Sequence, residues 1–282
     1  MNTKLITKNI GLFSIFFLMI SCNTDEKQTV ITKTQLVMED NFDTNGVLNS
    51  TLWSYDIGVG PDPNNPWGNH ELQYYTDRPE NIKVENGMLK ITAIRENYMG
   101  QAYTSARILT KGKFEQKYGR MEARIKMPWG KGLWPAFWML GSNIQTAAEL
   151  PDNPNTVAWP SCGEIDIMEY LGNSPTKIFG TVHGPGYSGG ESISKNFFLS
   201  NSRFDTDFHV FGIEWDENQI NFYVDDFLYH SVTPDDVPGE WVFNQSFYLI
   251  LNIAVGGNLP GSPNAETPFP QSMLVDYIRI YE

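Results

Sequence analysis

From Leu36 onward apolar and polar positions alternate in short runs separated by Gly, Asn, Pro and Asp. Residues 118–127 alternate with period two, which puts one face of an extended strand toward a core and the other toward solvent. Residues 84–94 read as strand, Asn86-Gly87 turn, strand, the strongest short-range hairpin signal. Residues 208–215 and 219–226 predict a further pair of strands, as do residues 247–253 and 274–281. No long helical period and no 20- or 40-residue repeat is present. Two antiparallel sheets packed as an all-β sandwich are the economical expectation.

One stretch departs from simple amphipathic alternation. Residues 163–170 place Glu164, Asp166 and Glu169 among Ile165, Ile167, Met168 and Tyr170. In an ideal strand Glu164 and Asp166 share a face, but Glu169 turns away. One extra residue near Ile167-Met168, a β-bulge, returns Glu169 to the acidic face, and bulges are common beside active sites. Acid-rich strands usually do no more than alternate solvated charge with core residues. Here three like charges would destabilise one another, and their neighbours are too apolar for a wet edge. Crowded carboxyls split their pKa values, so that one keeps its proton while another ionises. Retaining glycoside hydrolysis needs that division between a nucleophile and an acid/base roughly 5–5.5 Å apart. The Cα positions of the two glutamates are about 13 Å apart at four strand steps, so their side chains must lean together around Asp166.

Length and charge narrow the class. The 282 residues suffice for one sizeable core and one folded domain. A net charge of −13, more negative still once Lys4 and Lys8 leave with a leader, opposes nucleic acid and anionic lipid and favours an uncharged ligand. Eight Trp and thirteen Tyr suit a sugar binder, whose pyranose rings offer apolar faces, and suit a sandwich core almost as well. Of the two cysteines, Cys162 has no expected disulfide partner if Cys22 is acylated, and no Cys–His pairing marks it as a nucleophile. A small buried hydrophobe is its expected role. Four His without metal-ligand spacing give no zinc site.

The N-terminus carries Lys4 and Lys8, then an apolar run over residues 12–20, then Ser21-Cys22. The run is too short to span a bilayer and reads as a signal peptide. Cys22 after Ser21 resembles a bacterial lipobox, although Met19 stands where Leu is more usual. Residues 1–21 are therefore expected to be a lipoprotein leader, Cys22 the lipidated residue, residues 22–34 a polar tether and residues 35–282 the catalytic domain. Export to the outer membrane or cell surface of a Gram-negative bacterium follows, with membrane contact only through the lipid. A soluble secreted protein is the alternative.

The acidic stretch resembles the signature of glycoside hydrolase family 16 in the bulged E-x-D-x-x-E form of laminarinases, the endo-1,3-β-glucanases. Residues 68–76, 132–140, 181–186 and 254–257 are similar to further blocks of that family in the same order. The resemblance implies a concanavalin-like β-jelly roll with a concave substrate cleft, Glu164 as nucleophile, Asp166 as its electrostatic partner and Glu169 as acid/base. It implies sugar stacking by Trp134 and Trp159, with Trp138 flooring the cleaved site, His183 bonded to the catalytic strand, and Asn69, Glu71 and Arg107 recognising hydroxyls. Leu259 replaces a Trp of many relatives, removing one aromatic contribution. A structural Ca²⁺ is implied at Asn41, Gly87 and Asp276; Asn41 stands where many relatives have Glu, which lowers the charge of the site. Catalysis itself needs no cofactor.

The expected reaction is endo-hydrolysis of β-1,3-glucan by double displacement, carried out by a monomer. The alternatives are a mixed-linkage β-1,3-1,4-glucanase, a galactan hydrolase of agarase or carrageenase type, and a non-catalytic carbohydrate-binding domain.

Overall fold

The computed structural model describes residues 32–144 and 156–282. Residues 1–31, including the leader and Cys22, lie outside the described residues. The ten-stranded sheet runs in the order Phe227–Val232, Ile220–Val224, His209–Trp215, Gly119–Lys126, Gln271–Tyr281, Met88–Tyr98, Gln101–Ser105, Gln73–Tyr75. Leu36–Asp40 joins it beside Gln271–Tyr281, and Ile82–Glu85 beside Met88–Tyr98. The seven-stranded sheet runs Ile193–Phe198, Lys177–His183, Glu164–Tyr170, Leu133–Gly141, Phe247–Val255, Arg107–Leu109, Ser54–Asp56. Among these pairings only Gln73–Tyr75 with Gln101–Ser105 is parallel. Helix among the described residues is confined to three short 3₁₀ segments, Pro66–Gly68, Gly189–Glu191 and Pro234–Asp236.

The core lies where the inner faces of the two sheets meet. Leu89, Ile91, Met121, Ala123, Ile125, Ile278 and Ile280 from the larger sheet pack with Phe137, Met139, Ile165, Ile167, Leu249, Leu251 and Ile253 from the smaller. Outside the bulged strands, every second residue supplies this layer, as expected for aligned sheets that bury one face each. The alternate positions of the smaller sheet form its outer face and carry Trp134, Trp138, Thr181, His183, Asn252 and two of the three acids by simple alternation. A satellite cluster of Leu109, Leu140, Cys162, Tyr248 and Ile250 packs on that face. Cys162 is a free buried thiol whose pKa burial pushes up to about 12, in keeping with an inert hydrophobe.

The Asn86-Gly87 hairpin forms as expected, with φ of +56° and +72° at the two turn residues. Two expectations need correction. The segments at 247–253 and 274–281 do not pair, because Phe247–Val255 lies in the seven-stranded sheet and Gln271–Tyr281 in the ten-stranded one. Alternation specifies which face is buried, not which neighbour is hydrogen-bonded. The strand at 219–226 stops at Val224. Asp225 and Asp226 adopt φ of +49° and +64° and turn the chain into Phe227–Val232, a strand not anticipated. Aspartate tolerates the left-handed region, so an Asp-Asp pair can serve where Asn-Gly is usual.

The residues just before the expected catalytic boundary are already tied to the sheet. The Thr32 amide and hydroxyl donate to Glu214 at 2.7 and 3.0 Å, and Gln35 pairs through its backbone with Glu282. The last residues assigned to the tether thus dock on the ten-stranded sheet.

Candidate active site

The Glu164–Tyr170 strand is an interior strand of the seven-stranded sheet, third from the Ile193–Phe198 edge, between Lys177–His183 and Leu133–Gly141. Its register with both neighbours slips by one residue. Asp166 pairs with Thr181 but Glu169 with Phe179; on the other side Ile165 pairs with Met139 but Met168 with Phe137. Three steps on this strand therefore match two on each neighbour, the expected bulge at Ile167-Met168. Its consequence is visible in burial: Ile165, Ile167, Met168 and Tyr170 all enter the core, leaving Glu164, Asp166 and Glu169 on one face.

Each acid has its own partners. The Trp159 indole Nε1 donates to Glu164 Oε2 at 2.8 Å. Glu169 accepts from Trp134 Nε1 on Oε1 and from Thr181 Oγ1 on Oε2, both at 3.1 Å. His183 Nε2 lies 3.2 Å from Asp166 Oδ2 and 3.9 Å from Glu164 Oε1. The approach to Asp166 is off-axis, so Oδ2 is buried without a well-aligned donor. The Gly189 amide donates to His183 Nδ1 at 3.2 Å, which assigns the ring proton of the neutral imidazole to Nε2, facing the acids.

Glu164, Asp166 and His183 offer three ligand atoms close together. A metal-bound histidine ordinarily donates through its other ring nitrogen. His183 instead accepts there and presents a proton to the acids, so the donor chemistry does not fit a cation.

Burial raises all three carboxyls, and repulsion by neighbouring carboxylates adds to the rise at Glu164 and Glu169. Burial first, then the neighbouring Asp166, lifts Glu164 to about 8, with His183, Trp159 and Arg107 acting against the rise. Burial raises Asp166 strongly, and a hydrogen bond with Glu164 opposes it. Glu169 is held well above the ordinary range by burial and by the charges of Asp166 and Glu164. Glu169 is thus the group that retains its proton; both glutamates accept from an indole and face His183, and at Glu164 the Arg107 guanidinium adds a further influence favouring ionisation.

A second group of expected residues is organised around Trp138. Its Nε1 donates to Asn252 Oδ1 at 2.8 Å, and Asn252 Nδ2 donates to the Tyr75 hydroxyl at 3.0 Å. The Tyr75 hydroxyl donates in turn to Glu71 Oε2, which also accepts from Gln73. Asn69 Nδ2 reaches Glu71 Oε1 at 3.3 Å. Glu71 is buried and saturated by these neighbours, so it holds Asn69 and Tyr75 in place. Arg107 stacks between Trp67 and Trp138, 4.7 and 4.8 Å from the ring centres, and its Nε meets Asp56 at 2.9 Å. Trp134 and Trp138 share a face, and Trp159 stays 44% exposed, leaving its ring available for stacking.

Sequence reasoning missed Thr181, Asn252, Tyr75 and Trp67. Thr181 had a signal: it stands two residues before His183 in a strand and so shares its face. Asn252 had none, since its role depends on which strand lies beside Leu133–Gly141.

The expected calcium ligands do not present a free anionic site. Asp276 Oδ2 pairs with Arg124 Nη1 at 2.7 Å, and Asn41 Oδ1 accepts from Arg279 Nη2 at 3.2 Å. The single carboxylate of the set is already neutralised by a guanidinium, so the arrangement does not fit Ca²⁺.

Comparison with known proteins places this geometry in context. Residues 68–279 match the sequence profile of "Glycosyl hydrolases family 16". The catalytic domain of an endo-1,3-beta-glucanase (laminarinase) from Thermotoga petrophila RKU-1 superposes with a TM-score of 0.80 at 49% identity, covering 89% of this chain and 98% of that one. A beta-glucanase of Rhodothermus marinus is 41% identical across 88% of this chain and 85% of its own length. Glucan endo-1,3-beta-glucosidase A1 of Niallia circulans is 36% identical across 88% of this chain, which spans only 38% of that longer protein.

Proposed function

The chain belongs to glycosyl hydrolases family 16, and from that premise we propose how its acidic strand works. The protein is an endo-1,3-β-glucanase of the laminarinase type. The observation that carries the mechanism is the bulge, which brings two glutamates of unequal proton affinity onto one face with Asp166 between them.

Glu169, holding its proton, protonates the oxygen of the departing sugar while Glu164 attacks the anomeric carbon and forms a glycosyl-enzyme. Once Glu164 becomes an ester, one of the two charges raising Glu169 is gone. Its proton affinity has already served the first step, and it now takes a proton from the water that opens the ester. Asp166 is hydrogen-bonded to Glu164, and when Glu164 attacks as the carboxylate the proton of that bond stays on Asp166. Trp159 both donates to the nucleophile and offers an exposed face to a sugar ring. Mixed-linkage, galactan-cleaving and non-catalytic readings are not favoured.

The test follows early products from laminarin, mixed-linkage glucan and agarose by proton NMR. Laminarin is expected to be cut fastest, with the β-anomer released first. First release of the α-anomer, or no cleavage of laminarin, overturns the reading.

The same proposal includes export as a lipoprotein, cleaved before Cys22, anchored at the outer membrane or cell surface and acting as a monomer. The export and the anchor are supported by the pattern of residues 1–22 alone. Expressed full-length protein should partition into detergent, and Cys22→Ala should move it to the aqueous phase; unchanged partitioning contradicts the anchor.

A further inference from the structure

Glu169 must be held in two protonation states during one turnover, and its two oxygens are served by chemically different donors. Trp134 carries only an N–H, so at Oε1 it can donate and never accept. Thr181, 3% exposed, meets Oε2 with a hydroxyl that can do either. Thr181 Oγ1 in turn lies 3.0 Å from Ser194 Oγ, where either atom can be the donor. The backbone fixes this row, since Thr181 pairs with Asp166 on one side and with Ser194 on the other. Ser194 lies on Ile193–Phe198, the outermost strand of the seven-stranded sheet, and is exposed. The row Glu169–Thr181–Ser194 thus leads from a buried acid to solvent at the sheet edge.

We propose that Thr181 and Ser194 form a reversible hydroxyl pair that keeps Glu169 Oε2 hydrogen-bonded in both protonation states and connects it to solvent outside the cleft. Thr181 is a positioning residue in this scheme, and the proposal rests on Glu169 being the acid/base. With Glu169 ionised, Ser194 donates to Thr181 and Thr181 donates to Oε2. With the proton on Oε2, the carboxyl donates to Thr181, Thr181 to Ser194, and Ser194 to water. Passage between the two moves one proton along each link: the proton on Oε2 goes to Thr181 Oγ1, the Thr181 proton to Ser194 Oγ, and the Ser194 proton to water. Glu169 becomes the carboxylate, the water gains the proton, and both hydroxyls stay neutral.

The other groups facing Glu169 do not supply this. Asp166 and Glu164 on its own strand repel its charge, and His183 from the neighbouring strand attracts it. From the core side, Tyr229 of Phe227–Val232 approaches beneath the same strand because Gly180 has no side chain to obstruct its hydroxyl. That hydroxyl is buried, has no hydrogen-bond partner and titrates far above neutrality. The Thr181–Ser194 pair is therefore the ambivalent contact of Glu169 among the described residues.

The test compares pH–rate profiles of the wild type, Thr181→Val, Thr181→Ser and Ser194→Ala on laminarin, with thermal unfolding of each. Thr181 donates to the carboxylate and so favours the charged form. Removing it raises the proton affinity of Glu169, and the basic limb of kcat/KM should move up by about one pH unit in Thr181→Val. Ser194→Ala should move it the same way by less, because the cooperative donor behind Thr181 is lost. Thr181→Ser should hold the limb at its wild-type position. All four should unfold at similar temperatures. An unmoved basic limb in Thr181→Val, or a limb displaced equally in Thr181→Ser, overturns the proposal. An inactive wild type on laminarin would instead overturn the functional reading itself.

Discussion

Two buried glutamates on strands of this molecule are equally hidden, yet their surroundings are opposite. Glu122 and Glu169 are each 7% exposed. On the outer face of the ten-stranded sheet, Glu122 meets Arg120 at 2.8 Å, and Arg120 also takes Asp226 at 2.7 Å. On the seven-stranded sheet, Glu169 has two other carboxyls as neighbours and no cation in contact, its hydrogen bonds coming from an indole and a hydroxyl. The first cluster neutralises its charge and holds strands together. The second leaves charge unneutralised and stores proton affinity. Buried acid paired with base is architecture; buried acid beside acid is chemistry.

The largest expected effect separates the two clusters by activity. Glu164→Gln and Glu169→Gln should each cut turnover by roughly 10³-fold or more without loss of folding. Glu122→Gln should leave kcat/KM unchanged in the folded protein. Its effect belongs to stability, about 1.5–3 kcal/mol by denaturant unfolding, because Arg120 loses one buried charged partner and keeps Asp226. Substantial residual turnover in either active-site variant, or a catalytic defect in Glu122→Gln, would erase the contrast.

A pH titration of stability sharpens it next. Glu164 rises from 4.5 to about 8 on folding, so between those values the folded state binds the proton that the unfolded state has released. Stability contributed at low pH is therefore lost as pH rises through that window, and Asp166 and Glu169 act in the same direction. Glu164→Gln should flatten the decline. A wild type that grows more stable from pH 5 to 8 would contradict the raised carboxyls.

Smaller still is the effect of the indole donor. Trp159→Phe keeps an aromatic face but removes the 2.8 Å hydrogen bond to Glu164, so the acidic limb of the rate profile should move up by about one unit. The smallest effect concerns calcium. With Asp276 and Asn41 held by arginines, millimolar Ca²⁺ or a chelator should shift the melting temperature by no more than about 2 °C, since little ligand-linked stabilisation is available.

The chemistry of the acidic strand was legible because its misfit to period two was local. Alternation alone turns Glu169 inward, and only a bulge lets Ile167 and Met168 both reach the core, which the register then shows. The Asn86-Gly87 turn was legible for the same reason, being a property of two adjacent residues. What was not legible depends on partners far apart in sequence. Asn252 reaches Trp138 because Phe247–Val255 lies beside Leu133–Gly141 and not beside Gln271–Tyr281. Arg107 is fixed by Trp67 and Trp138, whose convergence no spacing encodes. The Arg120 pairing hides in ordinary alternation, where a buried ion pair and a solvated face look alike.

The most direct test of the assigned roles is azide rescue on an activated β-glucoside oligomer of the 1,3-linked series. Glu164→Ala, lacking its nucleophile, should yield the α-glycosyl azide by a single inversion. Glu169→Ala, lacking its acid/base, should yield the β-glycosyl azide from the intact glycosyl-enzyme. The opposite pair of anomers would mean that the two glutamates exchange roles and that the protonation order read from the site is wrong.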